Sequence, residues 1–315
     1  MSGTATLGGT LNISAINGFK PTVGDVYTLV SAGSFAGGFG TVNISGFTGK
    51  IDSSSNGITV TITTTAGQLF NVATRMRVKP DPNELIGGFI ITGTDPKRVI
   101  IRATGPSLSS FFSGVLEDPT LEIFQGSTLL ATNDNWKDSD QAAIEATGVA
   151  PKNELESAIV RTFTPGAYTA IVRGKNGASG IRLVEAYDLS TSSNSTLGNI
   201  ATRGYVDKDD NVMIGGFMIG RSLGSNTRVV VRAIGPSLKP FGVDNALADP
   251  TLELHHANGA LVQENDNWKD VQQGEIEASG LARASELESA ILASLQDGTT
   301  PPSSAAKGAP PVSDW

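Results

Sequence analysis

The sequence predicts an all-β chain: two tandem antiparallel β-sandwich modules behind a β-rich N-terminal cap. Three observations lead there. Short runs of alternating or β-branched residues recur along the chain, as half-buried strands require. Turn residues bound those runs, with 37 glycines and 15 prolines among 315 residues. A long stretch of text also occurs twice in the same order, the mark of a duplicated domain.

Residues 1–66 carry almost no charge and form the cap. Leu11-Asn-Ile-Ser, Val26-Tyr-Thr-Leu-Val, Thr41-Val-Asn-Ile and Gly57-Ile-Thr-Val-Thr-Ile-Thr each offer one apolar face, and the glycines between them supply turns. The first module spans 67–190. Its strands are read at Arg98-Val-Ile-Ile-Arg-Ala, Thr120-Leu-Glu-Ile-Phe, Ser157-Ala-Ile-Val-Arg-Thr-Phe and Ala167-Tyr-Thr-Ala-Ile-Val-Arg, with turns at Pro165-Gly166 and Asn176-Gly177. A short helix is expected from Ser139 or Asp140 to Thr147, closed by Gly148, with a counterpart from Gln272 to Ser279. Ser190 to Ser195 reads as a flexible linker to the second module, 191–298.

The repeat is explicit. Ala73-Thr-Arg returns at Ala201, Ile86-Gly-Gly-Phe at Ile214, Gly105-Pro-Ser-Leu at Gly235, and Asp118-Pro-Thr-Leu-Glu at Asp249. Asn133-Asp-Asn-Trp-Lys-Asp then returns at Asn265, and Glu154-Leu-Glu-Ser-Ala-Ile at Glu286. The offset grows from 128 residues (Ala73 to Ala201) to 132 (Asn133 to Asn265), so the copies differ by small loop insertions.

Composition excludes several chemistries. Hydrophobic residues make 39% of the chain and charged residues 17%, enough for a core and unlike a disordered polyelectrolyte. The net charge of −8 offers no footprint for nucleic acid or an anionic membrane. Cysteine is absent, which removes disulfides, thiolate metal sites and cysteine nucleophiles. Walker A, dinucleotide-binding and zinc-protease motifs are likewise missing, so no cofactor is required. No window reads as a membrane span or a signal peptide, and the chain as written is expected to be soluble.

Asp118-Pro-Thr-Leu-Glu-Ile, Asn133-Asp-Asn, Ser157-Ala-Ile-Val and Pro165-Gly-Ala-Tyr-Thr-Ala-Ile-Val make the second half of each module resemble the bacterial pre-peptidase C-terminal domain. That resemblance implies a small jelly-roll-like sandwich appended to secreted enzymes and surface proteins, accessory or binding in role and sometimes calcium-stabilised. The preceding half, with Ile-Gly-Gly-Phe and Gly-Pro-Ser-Leu, departs from the family. Gly8-Gly-Thr-Leu-Asn-Ile and Gly24-Asp-Val-Tyr-Thr-Leu-Val resemble the last coils of an autotransporter-type β-helix. Together the resemblances imply a portion of a large extracellular or cell-surface bacterial protein, with a role such as adhesion.

Three groups of residues carry candidate chemistry. Asn133, Asp134 and Asn135, and again Asn265, Asp266 and Asn267, put oxygen ligands in a row, and Asp118, Asp138, Asp140, Asp249 and Asp270 are placed to complete a calcium shell. The competing reading is an Asx-rich turn that bonds its own backbone. Trp136 and Trp268 follow these turns and are read either as stacking platforms for a carbohydrate or partner protein, or as core. The enzymatic alternative is a serine carboxylesterase. Gly220-Arg-Ser-Leu-Gly fits a nucleophile elbow, with Ser222 as nucleophile, His255 as base and Asp249 orienting it. The strand expected at Arg228 to Ala233 counts against it, because an elbow leads into a helix.

After Leu295 the repeat stops. Codons that spell Thr299 to Lys307 can be read in the neighbouring frame as Tyr-Thr-Ala-Ile-Val-Arg-Gly-Lys, the text of Tyr168 to Lys175. A frameshift near Gly298 is therefore expected to leave 299–315 as an unpaired tail, with Pro301, Pro302, Pro310 and Pro311 unable to join a ladder. The second module is then incomplete and prone to self-association through an open sheet edge. The overall expectation is a non-catalytic binding or structural fragment.

Overall fold

The computed structural model describes residues 3–16, 21–22, 24–45, 47–54, 57–65, 68–78, 84–190, 195–206, 212–220, 226–296 and 303–304. It is all-β, with multiple antiparallel sheets of the β-sandwich class, and a β-rich N-terminal region comes first in the chain. The chain divides into two compact units: Met1–Gln68 with Gly220–Thr227 and Gln296–Gly298, and Leu69–Ile219 with Arg228–Leu295 and Thr299–Trp315.

The first unit carries β1 (Thr4–Leu7), β2 (Thr10–Ser14), β3 (Val26–Ser31), β4 (Ser34–Gly37), β5 (Thr41–Ser45), β6 (Phe47–Ser53) and β7 (Gly57–Thr65). β1 pairs in parallel with β4 and β2 in parallel with β5. Like residues are register partners there, Thr10 with Thr41, Ile13 with Ile44 and Ser14 with Ser45, and Asn43 donates to the Asn12 side-chain oxygen at 2.8 Å. The text Thr-Leu-Asn-Ile-Ser therefore repeats as Thr-Val-Asn-Ile-Ser one coil later. β7 closes the unit antiparallel to both β3 and β6, and buries Ile58, Val60 and Ile62 on one face.

In the second unit the first copy contributes β8 (Gln68–Val78), β9 (Leu85–Gly93), β10 (Lys97–Thr104), β11 (Pro119–Gln125), β12 (Thr128–Asn133), helix α1 (Gln141–Glu145), β13 (Ser157–Phe163), β14 (Gly166–Gly174) and β15 (Gly180–Asp188). The second copy adds β16 (Ser195–Arg203), β17 (Ile214–Gly220), β18 (Asn226–Ala233), β19 (Leu252–His255), β20 (Leu261–Asn265), α2 (Gln273–Ala278), β21 (Ser289–Gln296) and β22 (Ser303–Ser304). The helices are shorter than expected: α1 starts after Asp140, whose side chain makes no cap bond, and ends before Gly148 at φ +73°.

An eight-stranded sheet runs β13-β10-β15-β8-β17-β22-β19-β20, and a five-stranded sheet runs β12-β11-β14-β9-β16. β18 and β21 form a separate pair. The Pro165-Gly166 and Asn176-Gly177 turns carry the chain from one sheet to the other, because β14 lies between β11 and β9 while β13 and β15 flank β10. Alternation sets what each face buries. Val99, Ile101 and Ala103 point between the sheets toward Leu121, Ile123 and Val172, whereas Ile100 points the other way, onto Trp136 and Ile144. Phe163 lies edge-on to Phe89 and Tyr168, with ring centroids 5.3 and 4.7 Å apart. Each fully buried aliphatic or aromatic side chain contributes about 1.5–3 kcal/mol.

Two expectations are corrected here. Residues 190–195 do not separate independent bodies: β16 and β17 of the second copy join sheets of the first, since β16 pairs with β9 and β17 lies beside β8. Ser190 and Ser195 are pinned, accepting the Arg98 and Asp95 amides at 2.9 Å, while 191–194 lie outside the described residues. The tail is also not wholly unpaired, because Ser303 and Ser304 pair with Gly216 and Gly215, and Ser304 also with Leu254. Pro301, Pro302, Pro310 and Pro311 lie outside the described residues.

Candidate functional site

The motifs that occur twice meet in space. In the first copy the Glu156 side chain is 0% exposed. Its Oε1 accepts the Gly105 and Ser107 amides at 3.0 and 2.9 Å, and its Oε2 accepts the Ser107 hydroxyl at 2.8 Å. The Gly-Pro-Ser-Leu turn is thus held by a buried carboxylate, which compensates its lost hydration through charge-assisted bonds. Gly105 is required at this turn: a Cβ there would stand 1.9 Å from the Leu116 carbonyl oxygen, and one on Gly235 would stand 2.0 Å from that of Leu247. Glu288 repeats the arrangement, accepting the Gly235 and Ser237 amides at 3.1 and 2.9 Å and the Ser237 hydroxyl at 2.9 Å.

The Asn-Asp-Asn loops are tied to the residues that follow each of these glutamates. The Asn133 side-chain oxygen accepts the Ala158 amide at 2.9 Å and its amide group donates to the Asn135 carbonyl at 2.9 Å. Asn265 does the same with Ala290 and Asn267, at 2.9 and 2.8 Å. Asn135 and Asn267 donate to Asp138 and Asp270 at 2.8 and 3.2 Å. The Ser157 and Ser289 hydroxyls donate to the Asp134 and Asp266 carbonyls at 2.8 Å. These are bonds of an Asx-rich turn tied to the next strand.

The position where a cation was expected holds an ammonium in the first copy. Lys175 Nζ lies 2.6 Å from Asp134 and 3.3 Å from Asp118. The Asp134 hydrogen bond, then that of Asp118, raises the lysine pKa. Oδ1 of Asp118, Asp134 and Asn135 is buried without a hydrogen-bond partner among the described residues. No cluster of three or more His, Cys, Asp or Glu side chains with metal-binding geometry occurs among the described residues.

Trp136 and Trp268 are 5% and 3% exposed, and their indole N–H groups donate to the Asn153 and Ser285 carbonyls at 3.0 Å. Rings so enclosed have no free face for a sugar, so of the two readings the core one describes both residues. Lys137 and Lys269 lie 5.4 Å over the rings and pair with Glu154 and Glu286. The Lys269 hydrogen bond lowers the Glu286 pKa.

Of the three groups of the esterase reading, Asp249 and His255 are not brought together. Ser222 lies outside the described residues. His255 Nε2 faces Glu253 at 2.8 Å and Nδ1 faces the Gly259 carbonyl at 3.0 Å, so both ring nitrogens are engaged within its own hairpin. Asp249 is exposed and makes no bond to His255. The strand at β18 also follows the motif where an elbow would have a helix.

No family model matches the chain, and no curated protein or solved structure matches it. No helix among the described residues is long and apolar enough to cross a membrane.

Sequence reasoning did not connect Gly-Pro-Ser-Leu with Glu156 and Glu288. The available signal was that the turn and the glutamate recur together, as groups that bond each other must. It also missed the Lys97–Asp188 pair, buried at 2.8 Å, and Arg182, whose guanidinium is fully buried. Burial pushes the Arg182 pKa well down, with Glu84 opposing.

Proposed function

We propose that this chain is a non-catalytic, structural or binding portion of a bacterial secreted or surface protein. One observation carries the reading: three pairs of polar residues common to both copies are spent on internal bonds. Glu156 and Glu288, Asn133 and Asn265, and Trp136 and Trp268 each hold one loop to another, which leaves the duplicated text a scaffolding role. The parallel, like-on-like pairing of β2 with β5 supports an origin beside a coiled β-helical region. Exposed loops on such a scaffold are where a carbohydrate or surface-protein ligand would be contacted. The test is hydrolysis of a short-chain chromogenic ester by the wild type and Ser222→Ala. No turnover is expected, and robust turnover abolished in the variant overturns the reading.

Calcium stabilisation of the Asn-Asp-Asn loops is a second reading, supported by the partnerless oxygens of Asp118, Asp134 and Asn135. It predicts a melting temperature that rises with millimolar calcium, falls with chelator, and responds less in Asp134→Ala and Asp266→Ala. A melting curve indifferent to both additions removes it.

A further inference from the structure

The two copies are related by exchange of equivalent strands. By the sequence repeat, β8 corresponds to β16, β9 to β17, β10 to β18, β11 to β19, β12 to β20 and β13 to β21. Ser304 pairs with Gly215 and Leu254, as Ala170 of β14 pairs with Gly87 and Ile123, so β22 stands in the place of β14. Exchanging each strand of the eight-stranded sheet for its counterpart gives β12-β11-β14-β9-β16, then a counterpart of β15, then β18-β21. The observed five-stranded sheet and the β18-β21 pair are that sheet with one strand missing among the described residues. The gap lies between β16 and β18.

Residues along the same gap are more exposed than their counterparts in the first copy. Leu116, which bonds β15 through the Ile181 carbonyl, is 0% exposed, whereas its counterpart Leu247 is 45% exposed. Ala73 and Arg75 of β8 are buried, while Ala201 and Arg203 of β16 are exposed. Val99, Ile101 and Ala103 are buried, while Val229, Val231 and Ala233 are only half-buried. Charge agrees with packing. Arg102 pairs with Glu185 of β15, while its counterpart Arg232 has, among the described residues, the Leu281 carbonyl at 3.3 Å and no carboxylate.

We propose that the gap between β16 and β18 is a strand-acceptor site that binds, in trans, an extended peptide of the β15 pattern. The peptide would extend both edges by backbone ladders. Val184 and Ala186 of such a strand would join Val229, Val231 and Ala233, Ile181 and Leu183 would cover Leu247, and Glu185 would meet Arg232. Edge pairing supplies affinity and the alternating side chains supply selectivity. The inference is independent of whether the parent protein is catalytic.

The probe is a synthetic peptide of residues 180–188, added to the full chain and followed by calorimetry and thermal melting. We expect saturable binding of one peptide per chain and a rise in Tm of about 5–10 °C at about a hundred times Kd. A Val184→Pro peptide, which lacks a ladder donor, should not bind. Glu185→Ala in the peptide should weaken binding to wild type about tenfold and leave binding to Arg232→Ala unchanged. The proposal is overturned by absence of saturable binding, by equal binding of the proline peptide, or by equal loss from Glu185→Ala in both proteins. A dimer that the peptide fails to dissociate overturns it too, assigning the gap to a second copy.

Discussion

Replacing Glu156 by alanine tests the duplicated latch directly. The substitution strands the Gly105 and Ser107 amides, now bonded to Oε1 at 3.0 and 2.9 Å, and removes the acceptor of the Ser107 hydroxyl. A buried donor left unpaired costs about 1–3 kcal/mol. The hydroxyl can rotate toward another acceptor, so the two amides dominate and the expected loss is about 3–5 kcal/mol. Glu156→Gln keeps an acceptor oxygen but exchanges charge-assisted bonds for neutral ones, and should lose about 1–2 kcal/mol. Urea unfolding followed by far-UV circular dichroism measures both, as a fall in midpoint at constant slope. Glu288→Ala should behave like Glu156→Ala. A loss under about 1 kcal/mol for the alanine variants would refute the argument, because it would mean that the turn's amides find water or other partners at little cost.

Three further outcomes are expected. With Trp315→Phe as background, Trp136 and Trp268 should resist iodide quenching, and Trp136→Ala should lose about 3–5 kcal/mol of stability. In the N-terminal unit the Tyr27 hydroxyl donates to Asp25 at 2.7 Å and lowers the Asp25 pKa below its ordinary 3.8, so that contact stabilises above about pH 4 and is lost as pH falls through the lowered value. A carboxyl titration by NMR should show the Asp25 midpoint rising in Tyr27→Phe. Replacing residues 299–315 with the text of residues 168–188 should supply counterparts of β14 and β15, raise stability, and abolish binding of the 180–188 peptide.

The sequence by itself determined the strands whose alternation is plain, and which motifs recur. Alternation in Arg98-Val-Ile-Ile-Arg-Ala and Thr120-Leu-Glu-Ile-Phe reflects burial of one strand face, a local period that text records directly. The duplication likewise showed which residues recur, and the Asn133 and Asn265 loops are turns because short amide side chains bond nearby backbone. Only the tertiary structure decided which strands are neighbours. Nothing local in Ser195–Arg203 says that it pairs with β9 of the other copy, since backbone ladders are nearly indifferent to side-chain identity and register comes from packing across the whole sheet. For the same reason Glu156 became a latch only when Gly105 and Ser107, some fifty residues away in the chain, came within 3.0 Å of one carboxylate.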